Sequence, residues 1–185
     1  AQPGSALPDT PIGAFPRGRA DLLEAHLRRD PGLLARRFTY REIYPPALGF
    51  PDDGRPGMHG TPLEGTTLLH LAIDYDEQEI FDLLLARGAD VNARATVDAD
   101  GFGGHTPLFN AVVNSAVGNR RQSDAAMTRA LLARGASPAL RASMRKFLDW
   151  RDTPGWHVAR DVTPAQWGRD FPEQGWMNAE ALRLL

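Results

Sequence analysis

The sequence predicts an all-α fold, a solenoid in which about four helix-turn-helix units stack side by side. Pairs of short apolar stretches recur at helical spacing along the chain. Gly-Ala closes the second stretch of two units, at Gly88 and Gly135, where glycine can adopt the left-handed conformation that ends a helix. Threonine opens the first stretch at Thr67, Thr106 and Thr163. A recurring pair of helices indicates stacked units, because one pair cannot bury its apolar face alone.

Length and composition limit the function classes. The 185 residues suffice for one domain with a hydrophobic core, and no apolar run reaches the roughly 18 residues that cross a bilayer. The net charge of -2 gives no general attraction to phosphate, so we expect neither nucleic-acid nor membrane binding. The chain has no cysteine, which excludes disulfides, thiolate zinc sites and cysteine nucleophiles.

The clearest unit runs from residue 65 to residue 93. Thr67 is placed to cap a first helix, and a second helix follows after a short polar turn. Gly88 closes the second helix. The apolar positions of the two helices are Leu68, Leu69, Leu71, Ala72 and Ile73, then Ile80, Phe81, Leu84 and Leu85.

This unit resembles the ankyrin repeat. The family's Thr-Pro-Leu-His-x-Ala segment stands here as Thr67-Leu68-Leu69-His70-Leu71-Ala72, and its Gly-Ala-Asp-Val-Asn ending is intact from Gly88 to Asn92. Asp76 occupies the position of the usual inter-helix glycine. The resemblance implies that His70 supports the turn between repeats rather than binding metal.

The remaining units are longer than the family's repeat of about 33 residues, so we expect inserts between them. The expected units span about 10–37, 65–95, 104–137 and 161–185, in a single domain, with the main inserts at about 38–64 and 139–160. Ser137 and Pro138 predict the start of an extra helix before the last unit, with Leu140, Met144, Phe147 and Leu148 on its apolar face. Trp150, Trp156 and Trp167 are expected to form a small packed core.

No residue pattern indicates catalysis. The histidines lack zinc-binding spacing, the glycine-rich run at 101–104 follows no predicted strand, and no serine lies in a nucleophile turn. We expect His26 to be half-buried on a helix and His105 to be a turn or surface residue. We therefore predict no catalytic, cofactor or metal site and a protein that is not an enzyme. A pocket that combined His157, Asp161 and Asp152 would favour the opposite interpretation.

The resemblance implies a protein that binds another protein through the concave surface of its first helices and through the loops between repeats. Mapped onto this sequence, that surface comprises Asp74, Tyr75, Arg94, Phe102, Asn110, Asn114 and Gln166. The aromatic residues of the first insert, Tyr40, Tyr44 and Phe50, are either further anchors for the partner or a cap folded onto the first repeat.

Charge offers a second pattern with two interpretations. The acidic residues Asp74, Asp76, Glu77, Glu79 and Asp82 form either a solvated face or an electronegative patch for a basic partner. The basic residues Arg120, Arg121, Arg141, Arg145 and Lys146 would form the other half of a bipolar surface.

Other expectations concern the whole protein. Lys146 is the single lysine among 21 basic residues, and this arginine bias, with the single-domain size, favours a bacterial cytoplasmic origin, with a processed secreted or periplasmic form as the alternative. We also expect a monomer. Because the chain starts without methionine, we also consider a regulatory or targeting domain of a larger enzyme. The fold does not select the partner, because repeat folds carry many specificities.

Overall fold

A computed structural model describes residues 9–46, 64–113, 124–148, 154–170 and 177–185. Two 3-10 helices, Ile12–Ala14 and Pro31–Leu34, lie near the start of the chain. The regular elements follow in the order α1 (Ala20–Arg29), α2 (Tyr40–Ile43), α3 (Leu68–Asp74), α4 (Gln78–Ala86), α5 (Pro107–Ala111), α6 (Ala126–Ala133), β1 (Ala142–Leu148), β2 (Gly155–Val162), α7 (Pro164–Arg169) and α8 (Ala179–Arg183).

Local sequence explains the helical hairpin of α3 and α4. Thr67 is extended and forms a capping box with His70, so α3 begins at Leu68. Asp76 adopts a left-handed backbone with φ of 55°, and Gly88 ends α4 with φ of 83°. Asp76 thus makes the turn for which most repeats use glycine, since aspartate is among the few residues that tolerate this conformation.

The helices pack in pairs, and the first helices of successive pairs are neighbours. Helix α3 contacts α4 and α5, helix α5 contacts α6 and α7, and helix α7 contacts α8. Helix α1 packs on α4. The helices α3, α5 and α7 therefore follow one another in a row.

The apolar side chains form two cores that meet at α5. Leu108 belongs to the first core, together with Leu84 and Leu131, and the next residue, Phe109, belongs to the second. Leu185 packs against both cores. The second core is built from the hairpin and the C-terminal helices around Phe109, Val112, Ala125, Ala142, Met144, Leu148, Ala159, Trp167 and Ala181.

The prediction of an all-α solenoid is wrong. The segment expected to form an extra helix is a strand, β1, which pairs antiparallel with β2 in a two-stranded sheet. The fold is therefore mixed, with a β-hairpin between α6 and α7. We call the paired strands β1 and β2 the hairpin.

Two periodicities compete in this segment. Met144 and Leu148 are four residues apart, which suits one face of a helix, but they also stand an even number of positions from each other and from Ala142, which suits one face of a strand. The strand is the structure observed: Ala142, Met144, Lys146 and Leu148 are buried, and the residues between them are less so. Phe147 lies on the other face of the hairpin, with its ring 5.4 Å from that of Trp156.

The expected tryptophan core is wrong for Trp156, whose side chain is 44% exposed, whereas Trp167 is buried in the second core. Trp150 lies outside the described residues. The unit boundaries at about 10–37, 65–95, 104–137 and 161–185 stay predictions.

The insert at about 38–64 is described only at its two ends. Phe38 N–H donates to the Thr66 carbonyl oxygen at 2.9 Å, and Gly65 N–H donates to the Phe38 carbonyl oxygen at 2.8 Å. These bonds join the start of the insert to the residues just before α3.

Candidate functional site

A loop of residues 96–104, which we call the finger loop, joins the helical hairpin of α3 and α4 to α5. Its ends pair through Val97 and Gly103, and Gly103 N–H donates to the Ser143 carbonyl oxygen at 2.7 Å. Gly103 has φ of 117°, and a Cβ atom there would lie 2.0 Å from the Thr96 carbonyl oxygen. Glycine thus permits the close approach of the two ends of the finger loop.

Arg145 of β1 fastens the hairpin to the finger loop. Its guanidinium donates to Asp98 Oδ2 at 2.7 Å and to Asp100 Oδ2 at 3.0 Å. The same group lies 4.8 Å from the Phe102 ring centroid and 5.2 Å from that of Trp156. Hydrogen bonds and cation–π contacts together fix this side chain.

The outer face of the hairpin, formed by Arg145, Phe147, Trp156, Val158 and Arg160, carries exposed apolar groups. Phe147 pairs with Trp156 and Arg145 with Val158 across the two strands. Among the described residues four large hydrophobic side chains are exposed: Val97 at 57%, Trp156 at 44%, Val158 at 48% and Leu184 at 40%. Three of these four lie on the finger loop or the outer face, which makes this region the most apolar exposed surface described.

Arg160 lies on the same outer face. Its guanidinium carbon is 4.3 Å from the Phe102 ring centroid. The side chain is exposed and makes no ion pair with any described residue. The guanidinium is thus oriented by an aromatic ring, and no described residue forms an ion pair with its hydrogen-bond donors.

Asp74 and Asn110 join the row of first helices. Asn110 Nδ2 donates to Asp74 Oδ1 at 2.9 Å, which links α3 to α5. Asp74 Oδ2 and Asn110 Oδ1 are buried and have no hydrogen-bond partner within the described chain. Burial raises the pKa of Asp74 to about 6, against the opposing effects of the Asn110 hydrogen bond and the charge of Lys146. Lys146 itself is 7% exposed and belongs to the interior rather than to a basic surface.

Tyr75 follows Asp74 at the end of α3. Its ring lies 5.7 Å from that of Phe15. Burial, together with the charge of Asp74, raises the pKa of Tyr75 to about 12. Tyr75, Asp74 and Asn110 are thus brought together, as expected from their positions in the sequence.

Arg94 and Gln166, also expected to bind the partner, make contacts within the chain. Arg94 Nη1 donates to the carbonyl oxygens of Gly104 and Arg141, at 2.9 and 3.0 Å. Gln166 Oε1 accepts from Thr163 N–H at 2.9 Å in the capping box of α7.

The expected aromatic positions differ in exposure. Phe102 is 8% exposed and Tyr44 is 1% exposed, so little of either ring is accessible. Tyr40 is half-buried, with its ring 5.0 Å from that of Tyr44. Asn114 and Phe50 lie outside the described residues.

The histidines and acids of the C-terminal half form separate pairs. His157 Nε2 is 3.3 Å from Asp170 Oδ2, whereas Asp161 pairs with Arg141 at 3.0 Å. Asp152 is not among the described residues. Within the described ranges no group of three or more histidine, aspartate or glutamate side chains could hold a metal ion.

His70 connects the turn before α3 to the turn before α5. Thr67 N–H donates to His70 Nδ1 at 3.2 Å, so the ring proton sits on Nε2, which donates to the His105 carbonyl oxygen at 3.2 Å. His105 lies in the turn before α5, in line with the first of its two expected placements, but it is 2% exposed, so the surface alternative is wrong. His70 therefore supports the turn between the repeat and the segment that follows it, as predicted.

The comparison with known families agrees with this geometry. Residues 64–96 match the family model of the ankyrin repeat. The chain contains an ankyrin repeat. Ankyrin repeats are typically non-catalytic modules that mediate binding to other proteins. No curated protein matches the chain.

The ankyrin repeat comprises α3 and α4, and the finger loop starts at its last residue, Thr96. The hairpin therefore lies outside the matched segment. None of the helices in the described ranges has the length and apolar character needed to span a bilayer.

The exposed pair Trp156 and Val158 is not among the predicted site residues, since Trp156 is expected in a packed core. Two signals indicate the hairpin in retrospect. Pro154-Gly155 is a turn dipeptide. In the positions that follow, the polar residue His157 stands between the apolar residues Trp156 and Val158, which is typical of a strand.

Proposed function

We propose that this protein binds another protein, without catalysis, through a surface formed by the finger loop and the outer face of the hairpin, with the concave side of the first helices α3 and α5 as a second contact region. The observation that carries the proposal is the concentration of exposed apolar groups at Val97, Trp156 and Val158. Exposed apolar patches next to ordered polar groups are typical of protein-binding surfaces.

The roles of the individual residues follow from their exposure. Trp156 and Val158 provide apolar contact area, and tryptophan is among the residues that contribute most to protein interfaces. Tyr75, Asp74 and Asn110, each partly buried, belong to the second contact region, where the hydrogen bond between Asn110 and Asp74 holds α3 and α5 together. Arg94, Phe102 and Gln166 act mainly by holding the loops and helices that present the surface. The additional anchors Tyr40, Tyr44, Phe50 and Asn114, and the monomeric state, stay predictions.

Site-specific photo-crosslinking tests the proposal. A photoreactive phenylalanine analogue replaces Val158 in one variant and Leu184 in the other, both exposed and apolar but on different elements. After irradiation in a lysate of the source cells, we expect a specific protein adduct from position 158 and not from position 184. The adduct should diminish when Trp156→Ala is added. Equal adducts from both positions, or an adduct that Trp156→Ala leaves unchanged, would show that this surface does not bind the partner.

A further inference from the structure

We infer that the partner presents a carboxylate beside an apolar side chain on an extended segment, and that Arg160 binds the carboxylate while Trp156 and Val158 contact the apolar group. This inference rests on the proposed function. It goes further by specifying the charge and the conformation of the segment that binds.

The state of Arg160 differs from that of the other arginines at the hairpin. Arg145 donates to two carboxylates, those of Asp98 and Asp100, and Arg141 pairs with Asp161. Arg160 alone among these three lacks a carboxylate partner within the described chain. Stacking on Phe102 orients its guanidinium before any partner arrives, which lowers the entropy lost on binding.

The carboxylates of the finger loop, Asp98 and Asp100, already accept from Arg145, which favours an acidic rather than a basic partner. Asp98 Oδ1 accepts the N–H groups of Asp100 and Phe102, both at 2.9 Å, and its Oδ2 accepts from Arg145. Asp98 therefore has little capacity left for a basic partner. No described residue forms an ion pair with Arg160, so an acidic group complements this surface.

The geometry of β2 favours an extended segment. Trp156, Val158 and Arg160 alternate along the strand, so consecutive members of the set are about 6–7 Å apart. Side chains on one face of an extended peptide have the same spacing. An extended segment that carries apolar residues and an acidic residue at every second position, on one face, can thus match the apolar positions and the charge at once.

Fluorescence anisotropy with two defined peptides tests the inference. The first is a labelled acetyl-Leu-Ser-Val-Ser-Glu-Ser amide, whose leucine, valine and glutamate lie on one face of an extended chain, and the second has lysine in place of the glutamate. We expect the wild-type chain to bind the acidic peptide more tightly than the basic one, and added salt to weaken that binding. Equal affinity for the two peptides, or no binding of either, would overturn the inference.

Matched variants assign the effect to the residues. Arg160→Gln should weaken binding of the acidic peptide about three- to five-fold, whereas Arg183→Gln, the same charge change on exposed α8, should alter it less than two-fold. Val158→Ser should weaken binding more than Leu184→Ser does. Arg160→Lys keeps the charge and is expected to fall between wild type and Arg160→Gln. Retained affinity in a folded Arg160→Gln chain, checked by circular dichroism, would refute the role of Arg160.

Two outcomes separate this inference from the proposed function. If crosslinking from position 158 captures a protein but the acidic peptide does not bind, the surface binds a partner of another chemistry and only the inference fails. Sedimentation of the chain alone provides the other outcome. A wild-type dimer that Arg160→Gln converts to monomer would show that a second copy occupies the surface, which also overturns the inference.

Discussion

The imidazole Nε2 of His70 lies 3.2 Å from the carbonyl oxygen of His105, and the two rings meet edge to face at 5.3 Å. His70 belongs to the ankyrin repeat, whereas His105 lies beyond the finger loop, nine residues after the end of the matched segment. This hydrogen bond is a direct polar link between the repeat and the structure that follows it.

Loss of the His70 side chain should destabilise the fold strongly. His70→Ala removes the bonds to Thr67 and His105 and leaves a cavity at a fully buried position. We expect a loss of about 3 kcal/mol in the free energy of unfolding, measured by urea denaturation. His70→Asn can still accept from Thr67 but is too short to reach His105, so its loss should be smaller. A loss under about 1 kcal/mol for His70→Ala would contradict the linking role.

His105 should make the protein sensitive to acid. Burial lowers the pKa of His105 to about 4, from 6.5 in the unfolded chain. As the pH falls from 6.5 to 4, the unfolded chain takes up a proton that the folded chain does not, so this group reduces stability in that window. Between pH 7 and pH 4 the free energy of unfolding should fall by about 3 kcal/mol less in His105→Gln than in the wild-type chain. Parallel stability–pH curves for the two chains would contradict the expectation.

Asp74 should reduce stability as the pH rises, which is opposite to the effect of His105, over an overlapping pH range. Its pKa is raised to about 6, from 3.8, so the unfolded chain ionises first as the pH rises and stability falls between about pH 4 and pH 6. Asp74→Asn removes this loss. The stability of the variant relative to wild type should therefore grow by about 2–3 kcal/mol between pH 4 and pH 7.

Substitution of Lys146 provides an independent test of what controls the pKa of Asp74. Its charge favours the ionised carboxylate, so Lys146→Met should raise the pKa of Asp74 further. NMR titration of the Asp74 carboxyl carbon measures this directly. A wild-type midpoint near 4 that Lys146→Met does not change would show that burial does not control this group.

Two glycines with left-handed backbones provide a matched comparison. A Cβ atom at Gly88 meets nothing within 4 Å, so Gly88→Ala should cost only the backbone strain of about 1 kcal/mol. At Gly65 the same atom would lie 1.8 Å from Thr96 Oγ1 and 2.8 Å from the Thr96 nitrogen. Gly65→Ala should therefore lower the melting temperature several degrees more than Gly88→Ala does. Equal shifts would mean that the contact between Gly65 and Thr96 relaxes at little cost.

The parts of the fold that the sequence predicts are those governed by local rules. The cap at Thr67, the left-handed turn at Asp76 and the termination at Gly88 each depend on a few adjacent residues, and each is present in the structure. The hairpin was mispredicted because Met144 and Leu148 fit both a helix and a strand. The contacts that select the strand come from distant residues, such as Gly103 and Trp156.

The candidate site was predictable to a similar extent. The resemblance to the ankyrin repeat assigns Asp74 and Asn110 to one surface, and a hydrogen bond joins them in the structure. The burial of Phe102 could not be predicted, because it depends on Arg145 and Arg160 from a hairpin that the sequence did not indicate. For the same reason the exposed Trp156 and Val158 were missed.

Helix α5, where the two cores meet, couples the response of one half of the molecule to a disturbance of the other. Because Leu108 and Phe109 are consecutive in a helix of five residues, neither core can repack without displacing the other. The N-terminal and C-terminal halves should therefore melt in one cooperative transition rather than two. For the same reason, a force applied to the hairpin would be transmitted through the short helix α5 to the first core, where Leu84 and Leu131 pack.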